Sequence, residues 1–346
     1  MQKLANEVLL QALRGESVAR TPVWIMRQAG RYLPEYRKTR EKAGDFMSLC
    51  RNRDFATEVT LQPLARFDLD AAILFSDILT IPDALGLELS FTPGEGPRFA
   101  KPLRDEESIK ALPRIDPNQE LGYVMNAVSS IKAALQGRVP LIGFSGSPWT
   151  LACYMIEGQG SRDFALTKQM MYGRPELMLS LLDHLVDCVS DYLLAQIEAG
   201  VDVVQIFDTW GGLLAPERYR DFSFNPMERI IERIKPTGVP VITFTKGSGA
   251  LLHLLKGSSA DCIGLDWMVN LRRARDELGA SRPVQGNLDP SVLLTNEAVV
   301  DQEIARILGE NNAQPGHIFN LGHGITPQVD PELVRFLVRR VHELSQ

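Results

Sequence analysis

Residues 201–207, VDVVQIF, form a short apolar run that ends at two polar residues, Asp208 and Thr209. The run is nearly continuous and rich in β-branched residues, which is typical of a strand buried on both faces of a parallel sheet. Before it, leucines and valines at helical spacing begin after Pro175 and stop at Gly200. Proline suits a helix start and glycine a helix end. The predicted unit is therefore a helix followed by a buried parallel strand.

The same unit recurs along the chain. Eight apolar runs, each followed by a segment of helical periodicity, are predicted strands: 22–26, 71–75, 139–144, 201–207, 239–244, 262–265, 283–285 and 317–321. Eight alternations without a break in composition predict an α/β fold, a single (β/α)8 TIM-type barrel over residues 1–346. The alternative is an open doubly wound sheet, which usually has fewer strands and an early GxGxxG turn. No GxGxxG follows any predicted strand.

One insertion departs from this repeat. Residues 87–91 and 98–101 are predicted to form a β-hairpin after strand two, joined by the proline- and glycine-rich residues 92–97. Elsewhere, three residues that cap helix N-termini mark predicted helix starts: Asn270, Thr295 and Asp330.

Composition places the chain among ordinary globular proteins. Of its 346 residues, 45% are hydrophobic and 23% charged, a balance typical of soluble domains. The four cysteines have no paired spacing, which argues against a disulfide framework or a structural zinc site. The opening residues, MQKLANEVLLQALRGE, predict a short amphipathic helix and not a signal peptide. The apolar stretch 177–194 contains three aspartates and a histidine, so no membrane span is predicted and a cytoplasmic location is expected.

Charge is distributed unevenly. The formal net charge of −6 argues against a general nucleic-acid binder. Residues 27–53, however, contain eight basic and three acidic side chains. A basic stretch in an acidic protein suits a site for a polyanionic small molecule, and the alternative is an ordinary solvated helical face.

A barrel places its active site at the carboxyl ends of the strands. Polar residues follow each predicted strand there, and any single aspartate among them serves equally well as a helix cap. They are Arg27 and Gln28, Ser76 and Asp77, Ser145, Asp208 and Thr209, Lys246, Asp266, Asn287 and Asp289, and His323.

Several chemistries lack their motifs. The five histidines form no HExxH or HxH pattern, so no metal site is predicted. No GxSxG nucleophile motif is present. Residues 246–249, KGSG, lack the full phosphate-loop pattern, and a plain glycine-rich turn is favoured over a phosphate cradle.

The most specific signal is a set of long motifs in a fixed order. Residues 22–37, PVWIMRQAGRYLPEYR, resemble the N-terminal signature of the uroporphyrinogen decarboxylase family. Residues 143–151, GFSGSPWTL, with Tyr154, Glu157 and Gly158 after them, resemble its second signature. Further matches are FSDIL at 75–79, QGNLDP at 285–290 and LGHGI at 321–325. The resemblance runs from about residue 5 to the last helix.

The resemblance implies a function. Members of that family are single-domain (β/α)8 barrels, commonly homodimers, that convert uroporphyrinogen III to coproporphyrinogen III by removing four acetate carboxylates without cofactor or metal. Residue by residue, it implies catalytic roles for Asp77 and Arg27 and substrate contacts by Arg27, Gln28, Ala29, Gly30, Arg31, Asp77, Tyr154, Thr209 and His323. One departure is Thr209-Trp210-Gly211-Gly212, where many members have a Ser-His-Ala-Gly-like stretch. Threonine keeps the hydroxyl.

The chemistry is consistent with these residue types. Decarboxylation leaves an electron pair that a protonated pyrrole can accept, and an aspartate such as Asp77 can bind pyrrole N–H groups and favour the cationic ring. Arg27 and Arg31 suit carboxylates through forked hydrogen bonds, and they point the same way if this segment is helical. A guanidinium is a poor acid near pH 7, so the proton donor is left unassigned.

Three rival hypotheses remain. Related barrels transfer methyl groups with zinc, but they need an HxC ligand pair that this chain lacks. A tetrapyrrole carrier would use the same binding residues without turnover. An unrelated barrel enzyme would bind a sugar phosphate at residues 246–249.

Overall fold

The computed structural model describes residues 4–92 and 96–346. Its strands are β1 Ala72–Ile73, β2 Leu89–Thr92, β3 Gly96–Phe99, β4 Leu141–Gly146, β5 Val203–Asp208, β6 Val241–Thr245, β7 Cys262–Gly264, β8 Val284–Gln285 and β9 His317–Ile318. Seven of them form one curled parallel sheet in the order β1-β4-β5-β6-β7-β8-β9, a half-barrel. Neighbours in this order are also consecutive along the chain apart from β2 and β3. The α/β class and the parallel sheet are confirmed.

Helices lie between the strands. Their bounds are α1 Val8–Leu13, α2 Pro34–Ala43, α3 Phe46–Arg51, α4 Arg53–Arg66, α5 Thr80–Pro82, α6 Glu106–Lys110, α7 Pro117–Glu120, α8 Gly122–Leu135, α9 Pro148–Glu157, α10 Ala165–Gly173, α11 Pro175–Ala199, α12 Pro216–Tyr219, α13 Asn225–Ile234, α14 Leu252–Leu255, α15 Leu271–Leu278, α16 Glu297–Asn311 and α17 Pro331–Leu344. Two π-helical segments, Asp83–Leu87 and Arg220–Phe224, and four 3-10 segments, Gly211–Leu213, Lys235–Thr237, Ser248–Ala250 and Pro290–Leu294, complete the set. Within the described residues, no helix is long and apolar enough to cross a membrane.

The helix ends follow the local chemistry. Helix α11 begins at Pro175 and ends at Ala199, and Gly200, which follows it, adopts a left-handed conformation. Asn270 and Asp330 cap their helices through side-chain bonds to backbone N–H groups. The prediction for Thr295 is wrong by one residue. Asn296 caps α16 by accepting from the N–H of Val299, because its backbone is extended as an N-cap requires.

Two of the sequence expectations are met only in part. Strands β2 and β3 pair antiparallel after β1, but residues 93–95 of the predicted turn lie outside the described residues. The predicted first strand, 22–26, forms a single bridge between Val23 and Phe319. Its backbone is bonded on both sides, since the N–H of Phe319 donates to Pro22 at 2.9 Å and the N–H of Asp70 donates to Val23 at 2.8 Å.

The interior of the sheet combines apolar packing with one polar link. Every residue of β4, β5 and β6 is buried, as their continuous apolar sequences predict. The Trp24 indole donates to Gln285 at 2.8 Å, and Gln285 donates to Gln205 at 3.3 Å. This chain of side-chain bonds fixes the segment 22–26 against strands on the other side of the sheet.

Candidate active site

The carboxyl ends of the parallel strands carry most of the predicted site residues. Arg27 follows the segment 22–26, Asp77 follows β1, Thr209 follows β5 directly, and His323 lies five residues after β9. Tyr154 lies on α9, which begins two residues after β4. The positive charge of Arg27 acts to lower the pKa of both Asp77 and His323, and the charges of Asp77 and Arg27 both act on the pKa of Tyr154. The fold therefore brings Arg27, Asp77, Tyr154 and His323 within electrostatic range of one another at the carboxyl ends of the strands, here called the mouth. Thr209 adjoins Trp210, whose ring packs on Tyr154.

Asp77 is the carboxylate of this mouth. One of its oxygens accepts a bond from the N–H of Leu79 at 2.8 Å. Burial raises the pKa of the Asp77 carboxyl, and the Leu79 N–H and the Arg27 charge oppose this shift without cancelling it. A carboxylate with a single hydrogen-bond donor in a desolvated position keeps most of its acceptor capacity for a ligand.

Arg27 is held in an uncommon backbone conformation. Its φ of 65° lies in the left-handed region, which costs a non-glycine residue about 1–2 kcal/mol. Gly324 makes room for its side chain, since a Cβ at that glycine would lie 2.4 Å from Cδ of Arg27. Backbone strain of this kind is concentrated at functional sites. Arg27 is solvent-exposed and has no ion-pair partner among the described residues.

The three residues that follow Arg27, Gln28 to Gly30, are buried or partly buried. The Gln28 side chain is 1% exposed and fully engaged, donating to the carbonyl of Ala71 at 3.1 Å and accepting from the N–H of Ile25 at 3.1 Å. Ala29 and Gly30 are partly buried, and a Cβ at Gly30 would lie 2.9 Å from the Arg27 carbonyl. The helical geometry suggested for Arg27 and Arg31 is wrong, because α2 starts only at Pro34 and the left-handed Arg27 interrupts any helical turn.

Charge pairing separates two groups within the basic stretch 27–53. Arg51 pairs with Asp83 at 2.6 Å and Arg53 with Asp54 at 2.9 Å. Arg31 is exposed and, in the described part of the chain, has no acidic partner within 4.0 Å. Arg27 and Arg31 are therefore cations that remain available to an anionic ligand.

An aromatic wall lines the side of the mouth that follows β4 and β5. The rings of Tyr154 and Phe164 are 6.1 Å apart, as are those of Tyr154 and Trp210, and the rings of Phe164 and Trp210 are 4.7 Å apart. Burial raises the pKa of Tyr154 to about 12, and Trp210 and the Arg27 charge oppose this shift. The phenol thus remains a hydrogen-bond donor at neutral pH. The half-buried Thr209 precedes Trp210.

His323 closes the opposite side. Its pKa is lowered to about 4 by burial and by the positive charges of Arg27 and Lys246. Its ring centroid is 6.3 Å from that of Phe244, which continues through Phe207 to Phe144 as a row of edge-packed rings. The imidazole is neutral near pH 7 and faces two cations. These phenylalanines were not singled out in the sequence, although each lies near the carboxyl end of a predicted strand, which was the available signal.

Several polar residues from the same strand ends turn away from the mouth. Asp208 is fully buried and accepts bonds from four hydroxyls: Ser147 at 2.6 Å, Thr150 at 3.2 Å, Ser223 at 2.8 Å and Thr245 at 3.2 Å. Burial raises its pKa, and these bonds oppose the shift. Gly211 must be glycine, since a Cβ there would lie 1.8 Å from the carboxylate. Asp208 therefore joins the segments that carry Tyr154 and Thr209.

Asp266 and Asn287 are also structural. The Asp266 carboxylate accepts from the N–H groups of Gly247 and Met268, and Asn287 donates to the carbonyls of Asp266 and Val269. The N–H of Gly247 is thus bonded to the Asp266 carboxylate, which argues against a phosphate-binding site at residues 246–249. In the described ranges, no group of three or more histidine, cysteine, aspartate or glutamate side chains is arranged to hold a metal ion.

The family model and the curated relatives that match this chain all indicate the same family. The family model described as uroporphyrinogen decarboxylase (URO-D) matches residues 4–344. A uroporphyrinogen decarboxylase from Alcanivorax borkumensis is 56% identical, over 99% of this chain and 98% of its own length. One from Acinetobacter baumannii is 55% identical, over 100% of this chain and 99% of its own. A methyltransferase from Methanosarcina mazei has a similar structure, with a TM-score of 0.84 over 99% of each chain, but its 18% identity relates the fold alone.

Proposed function

The chain belongs to the uroporphyrinogen decarboxylase family, and we infer that it is a decarboxylase of tetrapyrrole biosynthesis that acts on uroporphyrinogen III. It converts the four acetate arms to methyl groups, gives coproporphyrinogen III and needs no cofactor. The observation that carries this proposal is Asp77, a desolvated carboxylate with one hydrogen-bond donor, beside cations that have no acidic partners.

The substrate itself accepts the electron pair of the reaction. A proton adds to the ring carbon next to the acetate-bearing carbon and makes the pyrrole cationic. The bond to the carboxylate then breaks, CO2 leaves, and its electron pair neutralises the ring. A proton on the new methylene and loss of the first proton give the methyl group, so each arm consumes one proton in total. The protein has to stabilise the cationic ring and hold the carboxylates still.

Asp77 performs the first task. Its free acceptor positions take the pyrrole N–H groups at the centre of the macrocycle, and its negative charge stabilises the protonated ring. This attraction is larger in a dehydrated mouth than in water.

The cations and neutral donors perform the second task. Arg27 and Arg31 bind carboxylates by forked hydrogen bonds. The phenol of Tyr154, the hydroxyl of Thr209 and the imidazole of His323 donate to others. Ala29 and Gly30 bring backbone close to the ligand, and Gln28 fixes this loop through the bonds to Ile25 and Ala71.

We also propose the finer architecture and assembly. The segment 22–26 closes the sheet as an eighth strand of a single barrel domain, 1–346, with β2 and β3 as an inserted hairpin. The bonds of Pro22 and Val23 to Phe319 and Asp70 support this closure. A cytoplasmic homodimer is proposed from the family resemblance, and a monomer in sedimentation at micromolar concentration contradicts it.

The function is tested by anaerobic turnover. The purified protein, stripped of metals and kept in chelator, is incubated with uroporphyrinogen III, and side-chain carboxylates are followed by chromatography. Stepwise conversion from eight to four carboxylates is expected. Binding of uroporphyrinogen without any conversion would support the alternative of a tetrapyrrole carrier and refute the proposed enzymatic activity. Turnover only after metal is restored would refute the cofactor-free reaction.

A further inference from the structure

Basic side chains are scarce at the strand ends. Lys246 is the one lysine or arginine within three residues after the end of any strand of the seven-stranded sheet. It directly follows β6, the central strand of that sheet. Arg27 and Arg31 follow the segment 22–26, which is bonded to residues at both edges of the sheet, Phe319 and Asp70. The curl of the sheet thus puts Lys246 across the mouth from Arg27.

The acids at the ends of the two strands that flank β6 already have hydrogen-bond partners. Asp266 accepts the N–H groups of Gly247 and Met268. Asp208, beside Lys246 through the pairing of β5 with β6, accepts four hydroxyls. Within residues 4–92 and 96–346, Lys246 has no acidic partner within 4.0 Å. A half-buried cation without a counterion is costly unless a ligand supplies one.

Two interactions of the Lys246 ammonium group relate it to the mouth. Its Nζ lies 5.6 Å from the centroid of the Trp267 ring, a weak cation–π contact that holds the side chain without neutralising it. Its charge reaches the imidazole of His323, where it acts with Arg27 to lower the pKa. One carboxylate between Lys246 and His323 would neutralise the ammonium group and accept a hydrogen bond from the neutral imidazole.

We propose that Lys246 binds a side-chain carboxylate of the macrocycle on the side opposite Arg27. This inference rests on the proposed function, since it takes uroporphyrinogen as the ligand. A macrocycle centred on Asp77 carries acetate and propionate arms on all four rings. Arg27 and Arg31 serve the arms on one side only. Lys246 supplies the cation for the opposite side, and residues 246–249 thereby bind a carboxylate and not a phosphate.

The test measures kcat and KM with uroporphyrinogen III under anaerobic conditions. The variants are Lys246→Met, Lys246→Arg and the matched control Lys256→Met, which removes the same charge from an exposed residue just after α14. Lys246→Met is expected to raise KM about tenfold, as loss of a charge-assisted hydrogen bond does, with kcat within about twofold. Lys246→Arg should recover most of the affinity, and Lys256→Met should match the native protein.

Other outcomes overturn the proposal. A KM within about twofold of native in Lys246→Met refutes the contact, and so does a large fall in kcat at unchanged KM. Thermal unfolding is measured for each variant, and Lys246→Gln replaces Lys246→Met if the methionine variant does not fold. Failure of the proposed function is distinguishable, because then the native protein gives no coproporphyrinogen. Failure of this inference leaves native turnover intact.

Discussion

Asp70 and Asp77 stand on either side of β1, two residues before it and four residues after it, in contrasting surroundings. Asp70 accepts four bonds of 2.8–2.9 Å, from Asn6, Arg20, the N–H of Val23 and His342. Asp77 accepts one, from the N–H of Leu79. Asp70 is fully buried and Asp77 is half-buried, and burial acts to raise the pKa of both, so burial alone does not distinguish their roles.

The difference lies in the pKa that results. Burial acts to raise the pKa of Asp70, but the bond and charge of His342, with bonds from Asn6 and Val23, outweigh it and hold the pKa below its ordinary value. For Asp77 burial outweighs its few partners and the pKa is raised. Asp70 is satisfied by the fold and stabilises it. Asp77 keeps acceptor positions that the fold does not satisfy, which fits the catalytic role proposed for it.

The sharpest test of this contrast is Asp77→Asn. Removing the charge leaves the shape of the mouth but takes away stabilisation of the cationic ring, so kcat should fall about a thousandfold. The melting temperature should be unchanged or higher, since a half-buried charge with few partners is gone. Anaerobic turnover and thermal unfolding measure both effects. Near-native turnover in this variant would refute the proposed electrostatic role of Asp77.

The reciprocal change is Asp70→Asn. It breaks a buried ion pair and its network, so the free energy of unfolding should fall by about 3 kcal/mol, measured by urea denaturation. The stability contributed by Asp70 is present above its unfolded pKa and is lost as pH falls through its lowered folded pKa. The folded variant should keep kcat within about threefold. Loss of activity in a stably folded Asp70→Asn protein would contradict the contrast.

A smaller effect is expected in the acid limb of the pH profile. If Asp77 acts as an anion, kcat/KM falls at low pH with a midpoint above the ordinary aspartate value of 3.8, because the pKa is raised. Arg27→Met removes a charge that lowers this pKa, so the midpoint should move to higher pH, with a loss in kcat/KM of about tenfold. Arg31→Met, the matched control, should raise KM and leave the midpoint in place. A midpoint that moves down in Arg27→Met would refute the assignment.

Much of the fold follows from local sequence pattern. Seven of the eight apolar runs contain strands of the sheet, because a parallel strand covered by helices must be apolar on both faces. The run 22–26 behaves differently and forms only a bridge at Val23, although its backbone bonds to Asp70 on one side and to Phe319, far along the chain, on the other. Pattern in one segment carries no information on such distant partners.

The site was harder to predict than the fold. Sequence position alone placed Asp208, Asp266 and Asn287 beside Asp77 as equal candidates. Only the family resemblance singled out Asp77 in the sequence, and the hydrogen bonds of the other three show that they are structural. The four hydroxyls around Asp208 come from three separate segments, which no local motif encodes. The family motifs, in contrast, identified Arg27, Tyr154 and His323. The roles of these residues stay predictions, and the Arg27→Met variant tests that of Arg27.

The bonds that fix the segment 22–26 have a consequence for the order of folding. Trp24 and Gln285 are separated by 261 residues, Met26 and Asn320 by 294, and Asp70 and His342 by 272. Contacts of such sequence separation require closure of very long loops, and chains dominated by them fold slowly. Arg27 reaches Asp77 and His323 only when these remote segments have met. We therefore expect the proposed site to form late in folding, and a truncated or partly folded chain to have helices and strands without it.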